Sequence, residues 1–586
     1  MKRPNLNFLR KKEILILITL TIIALIVRLL NISQENGLWY DEMLTVVFAT
    51  AKTPLDILKT LLKYDFHMPL YYLYLWLWTN IFGTSDIALR LSSALFGVAN
   101  IPALYYLGKT YSDKKLGTWL AIVGALNPIM IYYSREVRFY SILLFLSTVS
   151  IIYFLKLLDK FDFKKIVFWG IINLSILYIY TLGMVFTAAQ IIPLIIKYLK
   201  KEEFKSLSKF LLFFLFLSLP YFSLLIYYKI QSTNVMIDPF AFGSFYGLKS
   251  LIIVANDFFS PLISGIYSLD FLTIKKLLSN KADTISFIIY SLPTLFMLLG
   301  IMLNLKPLTK NKKLLSLFFI AFSFISVEAL SAYLGNFVIL TRYLIIVLPI
   351  LLLIAIDGLF KNKNLAKISL ISILTIYSLN IINFQNTPAF KDRKGGLKIP
   401  AGKITQIGFK SQDYILYPTG DKLLLKYLPD AKTIEFEIPS ILYLDKTKQE
   451  AEKIFDKNLI EKTTKKNSTK NLTPYLKNPF PSEIMTSYIN LEISKIPRNK
   501  TLFVLEEKEI STKKQNTIPD FMHWCDKTNK KLSQSELFYL TYSKIYVDLN
   551  YILENNKNLE KIHTENFSAL NDERIRWKII VYKKDN

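Results

Sequence analysis

Apolar runs long enough to cross a bilayer recur along this chain, at 14–32, 87–107, 116–133, 138–158, 166–182, 184–199, 208–230, 284–305, 314–335, 342–360 and 366–384. A helix rises about 1.5 Å per residue, so roughly 20 apolar residues span a hydrocarbon core about 30 Å thick. Each backbone N–H and C=O in lipid must be satisfied within its own segment, which leaves helices as the fold for such runs. The sequence therefore predicts a mainly α protein, a polytopic transmembrane helix bundle of about eleven spans. The first run follows Lys2, Arg3, Arg10, Lys11 and Lys12, as a signal peptide would, but no small-residue cleavage site follows it. It reads as a retained helix.

Lysines gather in alternate loops: Lys109, Lys114 and Lys115; Lys160, Lys164 and Lys165; Lys197, Lys200, Lys201 and Lys205; Lys306, Lys310, Lys312 and Lys313; Lys361, Lys363 and Lys367. These fall on the side of the basic N-terminus, which the positive-inside rule makes cytoplasmic. Asp41, Glu42, the loop from Gln231 to Asp283 and everything beyond about Phe384 are then expected outside the cytoplasmic membrane. The same loops absorb much of the formal charge of +27, from 72 Lys and Arg against 45 Asp and Glu. The basic balance thus sets topology and implies membrane lipids, with no nucleic acid as partner. A single cysteine, Cys525, excludes an intramolecular disulfide or a CxxC centre, and three histidines argue against a His-rich metal site.

Between the first two runs lies a loop with two amphipathic stretches, Pro54 to Tyr64 and Pro69 to Phe82, too short to span and suited to helices lying at the interface. The loop reads as a lid over a membrane-level cavity. From about Thr387 the composition turns polar, and strand-like runs appear at Tyr414–Tyr417, Leu502–Leu505 and Trp577–Tyr582, with helical candidates at Asp421–Tyr427 and Lys448–Phe455 and an irregular insert at Lys462–Lys477. Two domains are expected: a membrane domain over 1–386 and a C-terminal soluble α/β domain, extracytoplasmic, over 387–586.

Chemistry is expected first at Trp39-Tyr40-Asp41-Glu42, two adjacent carboxylates just beyond the first span, because charge near the membrane is costly unless it has a task. The plain alternative is a solvated pair or a helix N-terminal charge. Downstream come His67-Met68-Pro69-Leu70-Tyr71-Tyr72, Ala88-Leu89-Arg90, Asn127-Pro128, Ser134-Arg135-Glu136-Val137-Arg138-Phe139-Tyr140 and Thr341-Arg342-Tyr343. Arg138 and Arg342 fall at the external ends of predicted spans, where a lipid headgroup would lie. A guanidinium there answers a phosphate bidentately, or snorkels, or in the case of Arg138 pairs with Glu136. Glu136 and Tyr140, four apart, share one helix face. His523-Trp524-Cys525-Asp526 reads as buried core, because a lone thiol beside one histidine lacks a third partner.

In order and spacing these motifs resemble the polyprenyl-phosphate-sugar-dependent GT-C glycosyltransferases, the superfamily of the dolichyl-phosphate-mannose protein mannosyltransferases and the lipid A aminoarabinose transferases. The resemblance covers about the first 200 residues. Met68 stands where such chains often carry a second proline, and Tyr180-Thr181-Leu182 lacks the histidine common after that threonine. It implies a sugar transfer from a polyprenyl-phosphate donor to a lipid, glycan or protein acceptor, with inversion. Asp41 would be the general base, with Glu42 and Glu136 beside it in the catalytic group. Trp39, His67, Arg138, Tyr140, Arg342 and Tyr343 would bind substrate. No cofactor is required. A divalent cation is compatible with Glu42 and Glu136, although two carboxylates and His67 make no specific ligand spacing; His67 also suits a helix cap. The rivals are an oligosaccharide ligase or polymerase, which would carry an arginine-rich late loop, and a lipid-linked sugar flippase, which would show repeat symmetry.

Overall fold

The computed structural model describes residues 6–33, 37–64, 67–232, 248–260, 281–335, 339–382, 397–417, 424–434, 483–498, 500–507, 548–568 and 576–584. By internal contacts the chain divides into two units, residues 1–34, 44–228 and 244–392 in the first, and 35–43, 229–243 and 393–586 in the second.

The first unit is a helical bundle. Its elements are α1 (Leu6–Leu29), the end of α2 (Tyr40–Ala49), α3 (Pro54–Tyr64), α4 (Leu70–Phe82), α5 (Asp86–Tyr111), α6 (Lys114–Leu126), α7 (Pro128–Ser134), α8 (Tyr140–Asp159), α9 (Phe163–Leu177), α10 (Gly183–Tyr198), α11 (Glu203–Ser232), α12 (Leu248–Phe259), α13 (Lys281–Leu303), α14 (Lys312–Gly335), α15 (Thr341–Leu344), α16 (Leu348–Leu359) and α17 (Lys363–Ile382). Each apolar run read from the sequence is helical. Among the described residues six helices are long and apolar enough to cross a membrane, or seven if a bent pair is one span. The protein is a multi-pass membrane protein.

Helix starts follow the polar residues beside the runs. Ser85, Asp113, Asn127 and Asp162 each accept a backbone N–H from three residues on, at 3.2, 2.8, 3.0 and 3.1 Å, satisfying donors that a helix leaves open. The Lys165 N–H on Asp162 also holds that exposed carboxyl below the usual carboxylate range. The run read as one span at 116–133 is instead two helices, α6 and α7, bent by 60°. The cause is local: Asn127 caps α7, and Pro128 at its first turn has no N–H to continue α6. The two interfacial stretches fold as α3 and α4.

Inside the bundle, polar side chains on α8, α9 and α10 close on one another. Gln190 Oε1 accepts from Ser150 and from Trp169 Nε1, both at 2.9 Å, while Asn173 Nδ2 donates to Ser150 at 2.9 Å and Thr187 donates to Asn173 at 3.1 Å. A buried polar group in apolar surroundings is costly unless paired, so this closed set ties three helices together. The outward face of α11 is apolar, with Leu212, Phe213 and Phe216 exposed, as a lipid-facing surface requires.

The second unit contains the start of α2, α18 (Lys398–Ile407), β1 (Tyr414–Leu416), β2 (Lys432–Thr433), α19 (Glu483–Ser494), β3 (Thr501–Glu507), β4 (Leu559–Ser568) and β5 (Arg576–Lys584). The sheet order is β2-β1-β3-β5-β4, with β1 parallel to β2 and β3, and β5 antiparallel to β3 and β4. Alternate residues Leu502, Val504, Ile580 and Tyr582 face Ile489 and Ile493 of α19 and Leu549, Ile552 and Leu553 of a further helical stretch. The three strand-like runs in the sequence are β1, β3 and β5. β4 was not foreseen, because Glu560, Lys561, His563 and Glu565 hide its pattern; such charge is how an edge strand avoids further pairing. The stretches 448–455 and 462–477, Cys525 with His523, and most of the 231–283 loop lie outside the described residues.

Candidate active site

Arg90, Arg135 and Arg28 are all 1% exposed or less, and each spends its guanidinium on backbone carbonyls. Arg90 Nη1 donates to Ile32 O at 2.9 Å and Ser33 O at 3.1 Å, and Arg135 Nη2 donates to Asn31 O at 2.5 Å. Arg28 reaches Ala24 O at 3.2 Å and Ala125 O at 3.1 Å. Asn31 has φ +51°, the left-handed turn that stops α1. The carbonyls released by that turn would lack partners in an apolar setting, and the arginines supply them. Arg90 and Arg135 stand inside the motifs singled out in the sequence, yet their bonds to α1 join residues 57 to 104 positions apart.

Arg138 is 6% exposed and holds a defined pose. Its Nη1 donates to Thr45 Oγ1 at 2.8 Å, its Nη2 lies 3.2 Å from His67 Nε2, and its guanidinium carbon sits 5.6 Å from the Phe139 ring centre and 5.9 Å from that of Tyr140. A guanidinium only donates, so His67 Nε2 accepts. Phe139 in turn lies 5.8 Å from both the His67 and Tyr180 rings, and the Tyr180 hydroxyl donates to Tyr343 O at 2.8 Å. The first unit therefore brings together Arg138, His67, Tyr140 and Tyr343, with Arg342 stacked 5.5 Å over Tyr343. Glu136, two residues before Arg138, is 2% exposed. His67 is not a cap: the N-cap of α4 is Pro69, which has no side-chain bond to offer.

Two groups here escaped the sequence reading. Thr45 lies in an apolar helix and gives no signal of its own. Glu328 is 2% exposed on α14, whose Phe324 ring lies 6.4 Å from that of Tyr180; a carboxyl inside a span is a functional signal by itself.

Trp39, Asp41 and Glu42 belong to the second unit. Asp41 and Glu42 occupy the first turn of α2, where the helix dipole favours carboxylates. Glu42 is fully buried and its Oε2 accepts the Trp39 N–H at 3.1 Å, the backward half of a capping box. Asp41 is half-buried. Among the described residues no three His, Cys, Asp or Glu side chains gather closely enough to hold a metal.

Residues 66–228, which include His67, Glu136, Arg138 and Tyr140, match the family described as dolichyl-phosphate-mannose-protein mannosyltransferase. The matched segment is less than half of the chain. No curated protein sequence matches it. Among solved structures, it is similar to ArnT from Cupriavidus metallidurans in the apo state, at 13% identity over 73% of this chain and 86% of that one, TM-score 0.45. ArnT bound to undecaprenyl phosphate matches at 11% identity over 96% and 97% of the two chains, TM-score 0.46. The apo oligosaccharyltransferase of Archaeoglobus fulgidus matches at 11% over 86% and 71%, TM-score 0.46.

Replacing Arg90 by Met keeps the apolar stem and strips two carbonyls of their donor, a loss on the order of 3 kcal/mol. The expected result is a fall of several degrees in the thermal unfolding midpoint of the purified enzyme, with Arg90→Lys falling less. An unchanged midpoint in Arg90→Met would show that water satisfies the end of α1 equally well.

Proposed function

We propose that this enzyme transfers one sugar from a polyprenyl phosphate to an acceptor hydroxyl at the extracytoplasmic face of the cytoplasmic membrane, inverting the anomeric carbon. The acceptor is a lipid, a glycan or a protein of the cell envelope. The observation that carries the reading is the Arg138 guanidinium, buried yet held in one plane by Thr45 and His67, within the segment that matches a lipid-phosphate-sugar transferase family.

The chemistry follows from those groups. The acceptor oxygen attacks the anomeric carbon as the bond from that carbon to the phosphate oxygen breaks. Asp41 takes the acceptor proton, and the bonding pair leaves with the lipid phosphate. Charge grows on that phosphate in the transition state, and a preset guanidinium in a low-dielectric site stabilises it without reorganising. Glu42, by capping α2, keeps Asp41 at the helix start. Trp39, His67, Tyr140, Arg342 and Tyr343 shape the sugar and headgroup site, and Glu136 orients the acceptor or an arginine. The terminal domain, extracytoplasmic over 387–586, meets the acceptor.

Asp41→Asn keeps the shape and removes the base. Transfer measured by mass spectrometry of envelope glycans in complemented cells should drop by about two orders of magnitude, a usual loss for a general base. A well-folded Asn variant with near-normal turnover would hand the role to Glu42 or Glu136.

Arg138→Lys retains the charge and loses the planar fork. Binding of undecaprenyl phosphate to the purified enzyme should weaken by about tenfold, the equivalent of one charge-assisted hydrogen bond. Equal binding in the two proteins would remove Arg138 from the donor site.

Orientation has its own test. With Cys525 changed to Ser no thiol remains, and Asn558→Cys puts one on an exposed position of the terminal domain. A membrane-impermeant maleimide should label it in intact cells, or in spheroplasts if an outer envelope blocks the reagent. Labelling only after lysis would place the domain in the cytoplasm.

A further inference from the structure

The segment that carries Asp41 is fastened to the terminal domain. Leu38 is fully buried, and its N–H donates to the Tyr427 hydroxyl at 2.8 Å across 389 positions of sequence. Tyr427 lies in a short turn between Leu424 and Leu428, which are buried at 0% and 4% exposure. Gly37 has φ +74°, a backbone that L side chains seldom adopt. A β-carbon there would run into the Tyr427 hydroxyl and approach Lys398 Cβ to 2.8 Å. The chain lies this close because residue 37 is glycine.

From that anchor the path to the base is short and stiff. Leu38 is followed by Trp39, whose N–H is tied to Glu42 Oε2 at 3.1 Å and whose carbonyl accepts the Met43 N–H at 2.9 Å, which opens α2. Asp41 lies within that first turn. Fixing Leu38 therefore fixes the origin of the helix turn that holds the carboxylate, and a displacement of about 1 Å at a reacting group costs on the order of a hundredfold in rate.

We infer that Tyr427 and Gly37 are positioning residues for the transfer step, so that the terminal domain is a working part of the catalytic centre beyond any role in meeting the acceptor. The inference rests on the reading of Asp41 as the base. It separates from the acceptor-guide role, because a guide changes acceptor capture while a positioning contact changes turnover and leaves donor binding alone.

The test uses the full-length enzyme. Tyr427→Phe and, separately, Gly37→Ala are produced at wild-type level in cells lacking the native protein. Product is followed over time by mass spectrometry of envelope glycans, and undecaprenyl phosphate serves as the binding probe for the purified proteins. Both variants should form product about tenfold more slowly, with binding of the probe within twofold of wild type; the unfolding midpoint should be unchanged in Tyr427→Phe and lowered in Gly37→Ala, where the added β-carbon strains the backbone. Lys557→Gln, an exposed change in the same domain, should leave the rate as it was. A wild-type rate in Tyr427→Phe and Gly37→Ala overturns the inference, as does slowing accompanied by lost probe binding in either variant or by a lowered midpoint in Tyr427→Phe, or equal slowing in Lys557→Gln. Failure of the base reading looks different: Asp41→Asn would then keep its activity. An inactive Asp41→Asn beside a full-rate Tyr427→Phe would sink the positioning role alone.

Discussion

Backbone carbonyls released at the end of a membrane helix need donors, and in this enzyme the donors are arginines. α1 stops in a left-handed turn at Asn31, and the carbonyls of Asn31, Ile32 and Ser33 are taken up by Arg135 and Arg90. In water this would be a minor contact. In an apolar bundle an unpaired carbonyl or a lone guanidinium costs several kcal/mol, so each is stable only because the other is there. The pairing ties α1 to α5 and to the segment after α7, so the exit of the first helix and the Arg138 segment are set by one cluster of contacts. Arg138 then has its own fixed partners in Thr45 and His67.

Much of the fold was legible because lipid simplifies the code. A run of some 20 apolar residues admits one backbone solution, and every such run in the sequence is helical. The flanking Ser, Asp and Asn caps are equally local, as are the short helices α3 and α4. What failed was local too, but subtler: Asn127-Pro128 breaks a run whose hydropathy is continuous, because a missing N–H does not register in an apolar count. The edge strand β4 failed for the opposite reason. Its charges serve to keep other strands away, so they erased the alternation by which strands are recognised.

The candidate site was legible in its conspicuous groups only. The motifs drew attention to Asp41, His67, Arg138 and Tyr343 because ionisable and aromatic groups near a membrane interface are conspicuous. The residues that hold them were not: Thr45 and Tyr427 are ordinary letters in ordinary stretches. Their importance comes from bonds spanning 93 and 389 positions, and no periodicity encodes a pairing of that range. Glu42 shows the converse. Its charge made it a candidate for chemistry, while its buried carboxylate is engaged in capping its own helix, and a capping box is readable only once the helix start is known.

Gly37 joins these two levels. In the sequence it is one glycine of 19, and a turn before a helix would explain it well enough. In the structure its positive φ and the absence of a β-carbon let Leu38 reach a tyrosine in a distant part of the chain. The segment that opens α2 thereby rests on the folded α/β part of its own unit rather than on a free loop. A helix that starts in a loop is otherwise free to fray at its first residues. Seating the residue just before that helix on a sheet-backed tyrosine removes the freedom where it matters most, one turn from the carboxylate. The entropy of ordering this segment is then met during folding, so the carboxylate in the first turn of α2 is held in place from the start.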